Sequence, residues 1–433
     1  MQNRMTVNFM RRTLYLKQFC PVLVLGVCAF VLQTRAEVTT NSPTEWIDPD
    51  TGHRVIQLSR EPGSQSLYFN LNAFTPDGQK MVVSTPTGIS TINLNTRTIE
   101  KIVDGRARII MVGHKTGQVY YSRNGVVYAT DLDTKATREI AKLPPGGSVS
   151  TVNADETLLA GTITGPDSSA TNEENVDFGP NRLMTEPPRS KARNIEARFD
   201  EHLPMELFFL NIQTGEIKKY GRGNDWLNHL VFSPTDPNLL MFCHEGPWHK
   251  VDRIWLIRSD GTGLTNIHKR TMAMEIAGHE FWSADGKTIW YDLQTPRGED
   301  FWVAGCNVTT GQRTRYHLQR DEWSVHFNVS PDGKLFCGDG GSAGMVAHAE
   351  NGKWIYLFHP ALALDTAGTN IDRTGLIRPG VFKAERLVNM SRHDYALEPN
   401  AMFSPDGKWV IFRSNLIGKS QVHAVEVKKA DEK

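Results

Sequence analysis

One arrangement recurs along the chain: an apolar strand, a Ser/Thr/Asn-Pro/Ala-Asp-Gly turn, and a second apolar strand. Its clear copies are Phe74-Thr75-Pro76-Asp77-Gly78, Trp282-Ser283-Ala284-Asp285-Gly286, Val329-Ser330-Pro331-Asp332-Gly333 and Phe403-Ser404-Pro405-Asp406-Gly407. Weaker copies begin at Gly113, Val152 and Phe232. In each turn Pro presets φ at the first corner, Asp bonds its own backbone, and Gly takes the positive φ that closes a hairpin. A second turn family falls later in each repeat, at Asn95-Thr96-Arg97, Asp133-Thr134-Lys135, Gln213-Thr214-Gly215, Asp260-Gly261-Thr262 and Thr309-Thr310-Gly311. Two turn families out of phase at a period of roughly 40 to 50 residues predict four strands per repeat. The expected fold is all-β, a seven-bladed β-propeller of four-stranded antiparallel blades forming one domain over 37–433. A single blade cannot bury both of its faces, so no independent sub-domain is expected.

Two intervals exceed the period, about 163–206 and 338–395, and read as loop insertions. The first includes a predicted short helix from Lys191 to His202, and the second opens on Gly338-Asp339-Gly340-Gly341. Residues 1–36 stand apart from the repeat. Arg11, Arg12 and Lys17 precede an apolar run from Phe19 to Leu32 that is short for a membrane span and suited to a signal peptide, with an uncleaved anchor as the alternative. The expected location is therefore outside the cytoplasm, periplasmic or secreted, with no stable membrane insertion once the signal is removed.

Charge narrows the partners. Lys+Arg and Asp+Glu both number 48, so the formal net charge is zero, and no basic surface of the kind that attracts nucleic acid is expected. Cys243, Cys306 and Cys337 remain beyond the signal, scattered and without metal-site spacing, enough for one bridge at most. No phosphate-binding glycine loop or Gly-x-Ser-x-Gly elbow follows a strand and opens a helix, which argues against nucleotide and serine-esterase chemistry.

The candidate chemistry sits in short histidine-bearing strings: Trp226-Leu227-Asn228-His229, Phe242-Cys243-His244-Glu245-Gly246-Pro247-Trp248 and Gly278-His279-Glu280-Phe281-Trp282. With the segment Asp48 to His53, the Phe74 to Gly78 turn and the closing Phe403 to Phe412 stretch, they resemble the oligogalacturonate lyases, propeller enzymes that cleave short pectin fragments by β-elimination. The resemblance implies His244 as the base that removes the C5 proton and His279 as a ligand of a divalent metal, usually manganese. It implies an acidic oligosaccharide as substrate. Removing that proton requires the neighbouring carboxylate to be neutralised, which a divalent cation does as a Lewis acid, while a neutral imidazole can take the proton.

The chain departs from that family where the remaining ligands are expected. The family's last blade carries Arg-Gln and then His-x-His; here Glu398-Pro399-Asn400 stands in that place. Glu398 and Asn400 keep the spacing that puts two side chains on one face of an extended segment, and their oxygens suit a hard divalent ion. His326 adds a nitrogen if the blades converge. An arginine expected near residue 205 to bind substrate is replaced by Pro204-Met205-Glu206. His229, Trp248 and Arg392 are the candidates for substrate contact, Arg392 with His393 and Asp394 as a carboxylate grip. Trp248, Trp282 and Trp323 offer either sugar-stacking planes or core. The competing reading is a non-catalytic, TolB-like periplasmic propeller that binds a protein or glycan.

Overall fold

A computed structural model describes residues 44–165, 191–347, 349–366 and 375–430. The predicted signal segment, and residues 166–190 of the first insertion, lie outside the described residues. The architecture is all-β, an antiparallel β-propeller, with one helix of ten residues, Lys191–Asp200, in the first insertion. Among the described residues no helix is long and apolar enough to cross a membrane.

Strands that follow one another in sequence lie side by side. Lys80–Thr85, Gly88–Asn93 and Ile99–Asp104 form a three-stranded sheet, and an isolated bridge from Phe74 to Met81 marks where a fourth strand would lie. Four-stranded sheets follow from Arg108–Val112 to Thr137–Lys142, from Gly147–Val152 to Ile217–Gly223, and from Trp226–Phe232 to Thr265–Asn266. An eight-stranded sheet consists of two successive antiparallel runs. The first goes from Ile276–Trp282 to Arg313–His317 and the second from Phe327–Val329 to Arg378–Asn389. The runs join where Arg313–His317 pairs in parallel with Arg378–Asn389. The last sheet holds Met402–Phe403, Trp409–Ser414 and Gln421–Lys429, and takes in the N-terminal strands His53–Gln57 and Glu45–Ile47. Pairing of His53–Gln57 with Gln421–Lys429 ties the two ends of the propeller together and leaves no free strand between them.

Both turn families are built as their residues require. In Ser283, Ser330 and Ser404 the hydroxyl donates to the aspartate two residues on, at 2.6, 2.7 and 2.6 Å. The glycine that follows has φ of 67, 73 and 69° and donates its N–H back to the serine carbonyl. The serine hydrogen bond leads the causes that hold Asp285 and Asp332 below the usual carboxylate range. In the second family Asn93, Asp131, Asn211 and Asn307 each accept two backbone N–H groups through Oδ1. The residue four positions after each, Arg97, Lys135, Gly215 or Gly311, closes the turn at positive φ.

The core lies between neighbouring sheets. One cluster joins Ile110, Tyr120 and Val127 to Val149, Leu159 and Phe208 of the next sheet. Another joins Val231, Met241 and Ile254 to Trp282, Tyr291 and Leu293. Burying each such side chain contributes about 1.5 to 3 kcal/mol, so stability depends on sheet-to-sheet packing. The second long interval departs from the expected loop. Much of it is the hairpin Trp354–Leu362 with Arg378–Asn389, which extends the outer strands of its own run. Cys243, Cys306 and Cys337 are all buried and unbridged.

Candidate active site

Four successive repeats place a polar residue at one register position. Counted four residues back from the turn residues Ser233, Ser283, Ser330 and Ser404, these are His229, His279, His326 and Asn400. The corresponding positions in the other three repeats are Leu71, Ile110 and Val149. The strands Trp226–Phe232 and Ile276–Trp282 bulge here: register shifts between Asn228 and Val231 and between Gly278 and Phe281. His229, His279 and Asn400 have φ of 49, 46 and 53°. A left-handed residue costs a non-glycine side chain about 1 to 2 kcal/mol, and such residues collect where a bulge re-aims a side chain.

The re-aimed groups meet. The rings of His279 and His326 stand 4.7 Å apart, centroid to centroid, at 64°. His326 Nε2 is 3.7 Å from Glu398 Oε2. Asp339 organises this side of the cluster. Its carboxylate accepts from His326 Nδ1 at 2.7 Å, from the His326 backbone at 2.9 Å and from the Asn400 backbone at 3.1 Å. His279 Nδ1 faces Asp292 Oδ2 at 3.3 Å. Burial pushes the His279 imidazole below its ordinary pKa, with Asp292 opposing and His326 adding to the shift. Each ring is thus held through Nδ1, the arrangement that leaves the Nε2 lone pair to bind a metal ion or accept a proton.

Several buried polar atoms here have no hydrogen-bond partner: His326 Nε2, Asn400 Oδ1, Asp292 Oδ1 and both carboxylate oxygens of Glu280. Leaving such atoms unpaired costs about 1 to 3 kcal/mol each, so their concentration in one place indicates a site prepared for a guest. Among the described residues no three His, Cys, Asp or Glu side chains stand as a ready metal cluster. That holds for His279, His326 and Glu398 too, so what fits a divalent cation such as manganese is the chemistry of the neighbouring donors, two imidazoles, one carboxylate and the buried Asn400 amide oxygen.

The surroundings fix these groups. Trp248 packs edge-on to His279 at 4.9 Å and lies under the Arg253 guanidinium at 4.6 Å. It can do so because Gly278 has no Cβ; one placed there would meet the indole at 2.7 Å. Arg253 is buried between Glu245, with which it forms a tight ion pair, and Glu280 at 3.9 Å. His229 Nε2 reaches the same Glu245 at 3.2 Å. Burial alone would raise the Glu245 carboxyl, but Arg253 and His229 outweigh it and hold it well below the usual range. Tyr68 and Phe69 supply a further wall. The Tyr68 ring lies 5.2 Å from His326 and 5.9 Å from His229, and Phe69 lies 4.8 Å from His326. Their segment is tied across by Asn70 Nδ2 donating to Glu280 O and Asn328 Nδ2 donating to Phe69 O.

The structure thus brings together His279, His326, Glu398 and Asn400, with His229 and Trp248 beside them. His244 points elsewhere. On strand Leu239–Glu245 it alternates with Glu245, so its ring faces away from Arg253 and stacks on Trp255 at 4.8 Å and 23°. There it lines a cavity of about 240 Å³ with Asp225, Trp226, Lys250 and Arg270. Burial holds its imidazole below the ordinary pKa, against the pull of Asp225. The expected carboxylate grip at residues 392–394 does not form. Arg392 lies on an exposed turn, and His393 is buried, bonded to Ser414 Oγ and Leu397 O at 2.9 and 2.7 Å. Trp282 and Trp323 are core residues, buried to 9% and 1% exposure. Sequence reasoning missed Asp292, Asp339, Tyr68 and Phe69. The shared register position was legible once the turns were aligned, and an apolar Leu67-Tyr68-Phe69 run outside any repeat was the signal for the wall.

The sequence profile of a family described as oligogalacturonate lyase matches residues 198–430. Over 403 residues the chain is 22% identical to an oligogalacturonide lyase from Pectobacterium atrosepticum, covering 88% of this chain and 95% of that protein. An oligogalacturonate lyase from Dickeya dadantii matches with the same identity and coverage. Among solved structures, an oligogalacturonate lyase in complex with manganese superposes with a TM-score of 0.70 at 22% identity, covering 89% of this chain and 96% of that one. The oligogalacturonate lyase from Vibrio parahaemolyticus gives 0.69 at 21% identity, covering 89% and 96%. At these identities the superpositions speak to the fold.

Proposed function

The chain belongs to the oligogalacturonate lyase family, and from that premise we propose that it is a carbon–oxygen lyase cleaving uronate-containing oligosaccharides by metal-assisted β-elimination. The observation that carries this reading is the meeting of His279, His326 and Glu398 beside Asn400, with His326 Nε2 and Asn400 Oδ1 buried and without hydrogen-bond partners. The scaffold for it is a propeller of seven blades, with the eight-stranded sheet counted as two.

In this reading His279, His326, Glu398 and Asn400 hold a divalent cation, manganese as in the structural relative's complex. When bound, the cation supplies Lewis-acid neutralisation of the substrate carboxylate. Asp292 and Asp339 keep the two rings in the tautomer whose Nε2 accepts. Glu398 and Asn400 stand where the family offers His-x-His, so the ligand set has shifted from nitrogen toward oxygen, which suits a hard cation.

His244 is the proposed base, kept neutral by burial so that it accepts the C5 proton. The cavity it shares with Trp226, Trp255, Lys250 and Arg270 offers cationic and aromatic contacts for an acidic sugar, although Arg270 is itself tied to Asp252 at 3.0 Å. Trp248, packed against both His279 and Arg253, offers an aromatic face for a sugar beside the proposed metal ligands. His229 completes the contact surface. We extend the reading to export directed by residues 1–36, which the N-terminal mass of the mature protein tests.

The test is direct. Purified protein incubated with digalacturonate and manganese should produce an ultraviolet absorbance rise from the unsaturated product. A flat trace across a panel of uronate oligomers would overturn the assignment.

A further inference from the structure

A lyase acting on uronates must recognise the carboxylate it neutralises, and the arginine expected near residue 205 is absent from this chain. The structure holds another guanidinium at the site. Arg413, on strand Trp409–Ser414, is partly buried, and its backbone N–H donates to Pro399 O at 2.9 Å. Its Nε donates to Glu398 O at 2.7 Å and its Nη1 to Gln65 Oε1 at 2.9 Å. Those two bonds, one to the segment entering the final sheet and one to the segment leading to Tyr68, fix the plane of the guanidinium beside Glu398. Among the described residues no hydrogen bond engages Nη2, and no carboxylate oxygen forms a close ion pair with Arg413, although Glu398 and Asp339 act on it electrostatically. The charged and phenolic groups that face it are Glu398, Tyr68 and Asp339.

The contrast with Arg253 is informative. That buried guanidinium is compensated from two sides by Glu245 and Glu280. Arg413 is oriented only by neutral oxygens, and Glu398 Oε2, the nearby acid, is 3.7 Å from His326 Nε2. A partly desolvated, rigidly oriented cation with an open N–H edge is complementary to a planar carboxylate. We propose that Arg413 is the specificity residue that receives the uronate carboxylate of the substrate, taking the place of the missing arginine. The proposal rests on the uronate reading above and deepens it. The Nη2 group, the part of the guanidinium left over by the bonds of Nε and Nη1, is the donor that takes a carboxylate oxygen.

Calorimetric titration with galacturonate, which carries the carboxylate but no bond to cleave, is the test, with galactose as the uncharged control. The protein should bind galacturonate in preference to galactose, and Arg413→Gln should weaken galacturonate binding at least tenfold while leaving galactose unchanged. Gln65→Glu provides a second variant that keeps the arginine and neutralises it in place, and it should produce the same selective loss. Retained galacturonate affinity in either folded variant, or no preference for galacturonate in the parent protein, overturns the proposal. The binding readout needs no turnover, so paired with a cleavage assay it keeps failure here distinct from failure of the lyase assignment. A chain that cleaves digalacturonate equally well with Arg413→Gln sinks the arginine alone. A chain that binds galacturonate through Arg413 and cleaves nothing sinks the lyase alone.

Discussion

His326 and Asp339 form a fully buried dyad, with Nδ1 of the imidazole 2.7 Å from Oδ2 of the carboxylate. Because Asp339 also takes the backbone N–H groups of His326 and Asn400, one side chain sets the tautomer of one site residue and the backbone of another. Replacing it by asparagine keeps the shape but presents an N–H where the ring needs an acceptor. Asp339→Asn should therefore reverse the His326 tautomer and lower kcat by about tenfold to a hundredfold, the usual loss for a group that orients a ligand. Nitrogen-15 spectra of the histidines, compared with the parent, check the tautomer independently of the rate.

Asn400 combines a left-handed backbone with an unpartnered Oδ1. Glycine relieves the first and removes the second, so Asn400→Gly separates stability from chemistry. Its melting temperature should be equal or higher, because glycine adopts positive φ without penalty. Its manganese affinity, measured by equilibrium dialysis with elemental analysis, should fall by at least tenfold. Dialysis of the parent protein against a chelator should abolish turnover, and added manganese should restore it.

His244 stands on the other face of its strand from the Glu245–Arg253 pair, and it contacts none of the proposed metal ligands. His244→Ala should lower kcat by roughly a hundredfold to ten-thousandfold, the range for loss of a general base, without changing metal content. The pH profile of the parent follows from the sign of the shift. Burial depresses the imidazole, so the neutral, accepting form persists below the ordinary histidine range. Activity should hold as pH falls through 6.5, the unshifted value, and decline only at lower pH. An acid limb centred above that value would assign the base elsewhere.

The fold was legible because the turns are strict: Ser283, Asp285 and Gly286 each have a single structural task, and the spacing of such triplets counts the repeats. The site was half legible. His279, His326, Glu398 and Asn400 were named from short strings, yet their convergence is a property of the ring closure that pairs His53–Gln57 with Gln421–Lys429, which local pattern does not encode. Asp339 looked like part of a glycine-rich turn, because a carboxylate that orients a distant ring has no spacing signature. Arg392 misled for the complementary reason. A charged triplet reads as a grip, whereas burial of His393 against Ser414 turns it into a structural tether.

The closing sheet buries a histidine whose protonation opposes folding. His423 lies on strand Gln421–Lys429, stacked on Phe412 at 5.6 Å and edge-on to Trp46 at 5.9 Å. It is fully buried, and neither ring nitrogen has a hydrogen-bond partner. Burial pushes its pKa down from 6.5 to about 4. Between those values the unfolded chain binds a proton that the folded protein refuses, so stability is complete above 6.5 and is lost as pH falls toward 4. A shift of this size corresponds to about 3 kcal/mol. The loss falls on the one sheet that joins the two chain ends, so opening there releases both. His423→Phe keeps the stacking and removes the titration, and urea unfolding midpoints from pH 7.5 down to 4 should decline less steeply in the variant than in the parent. Parallel curves for the two proteins would show that this histidine is not the group that destabilises the closing sheet in acid.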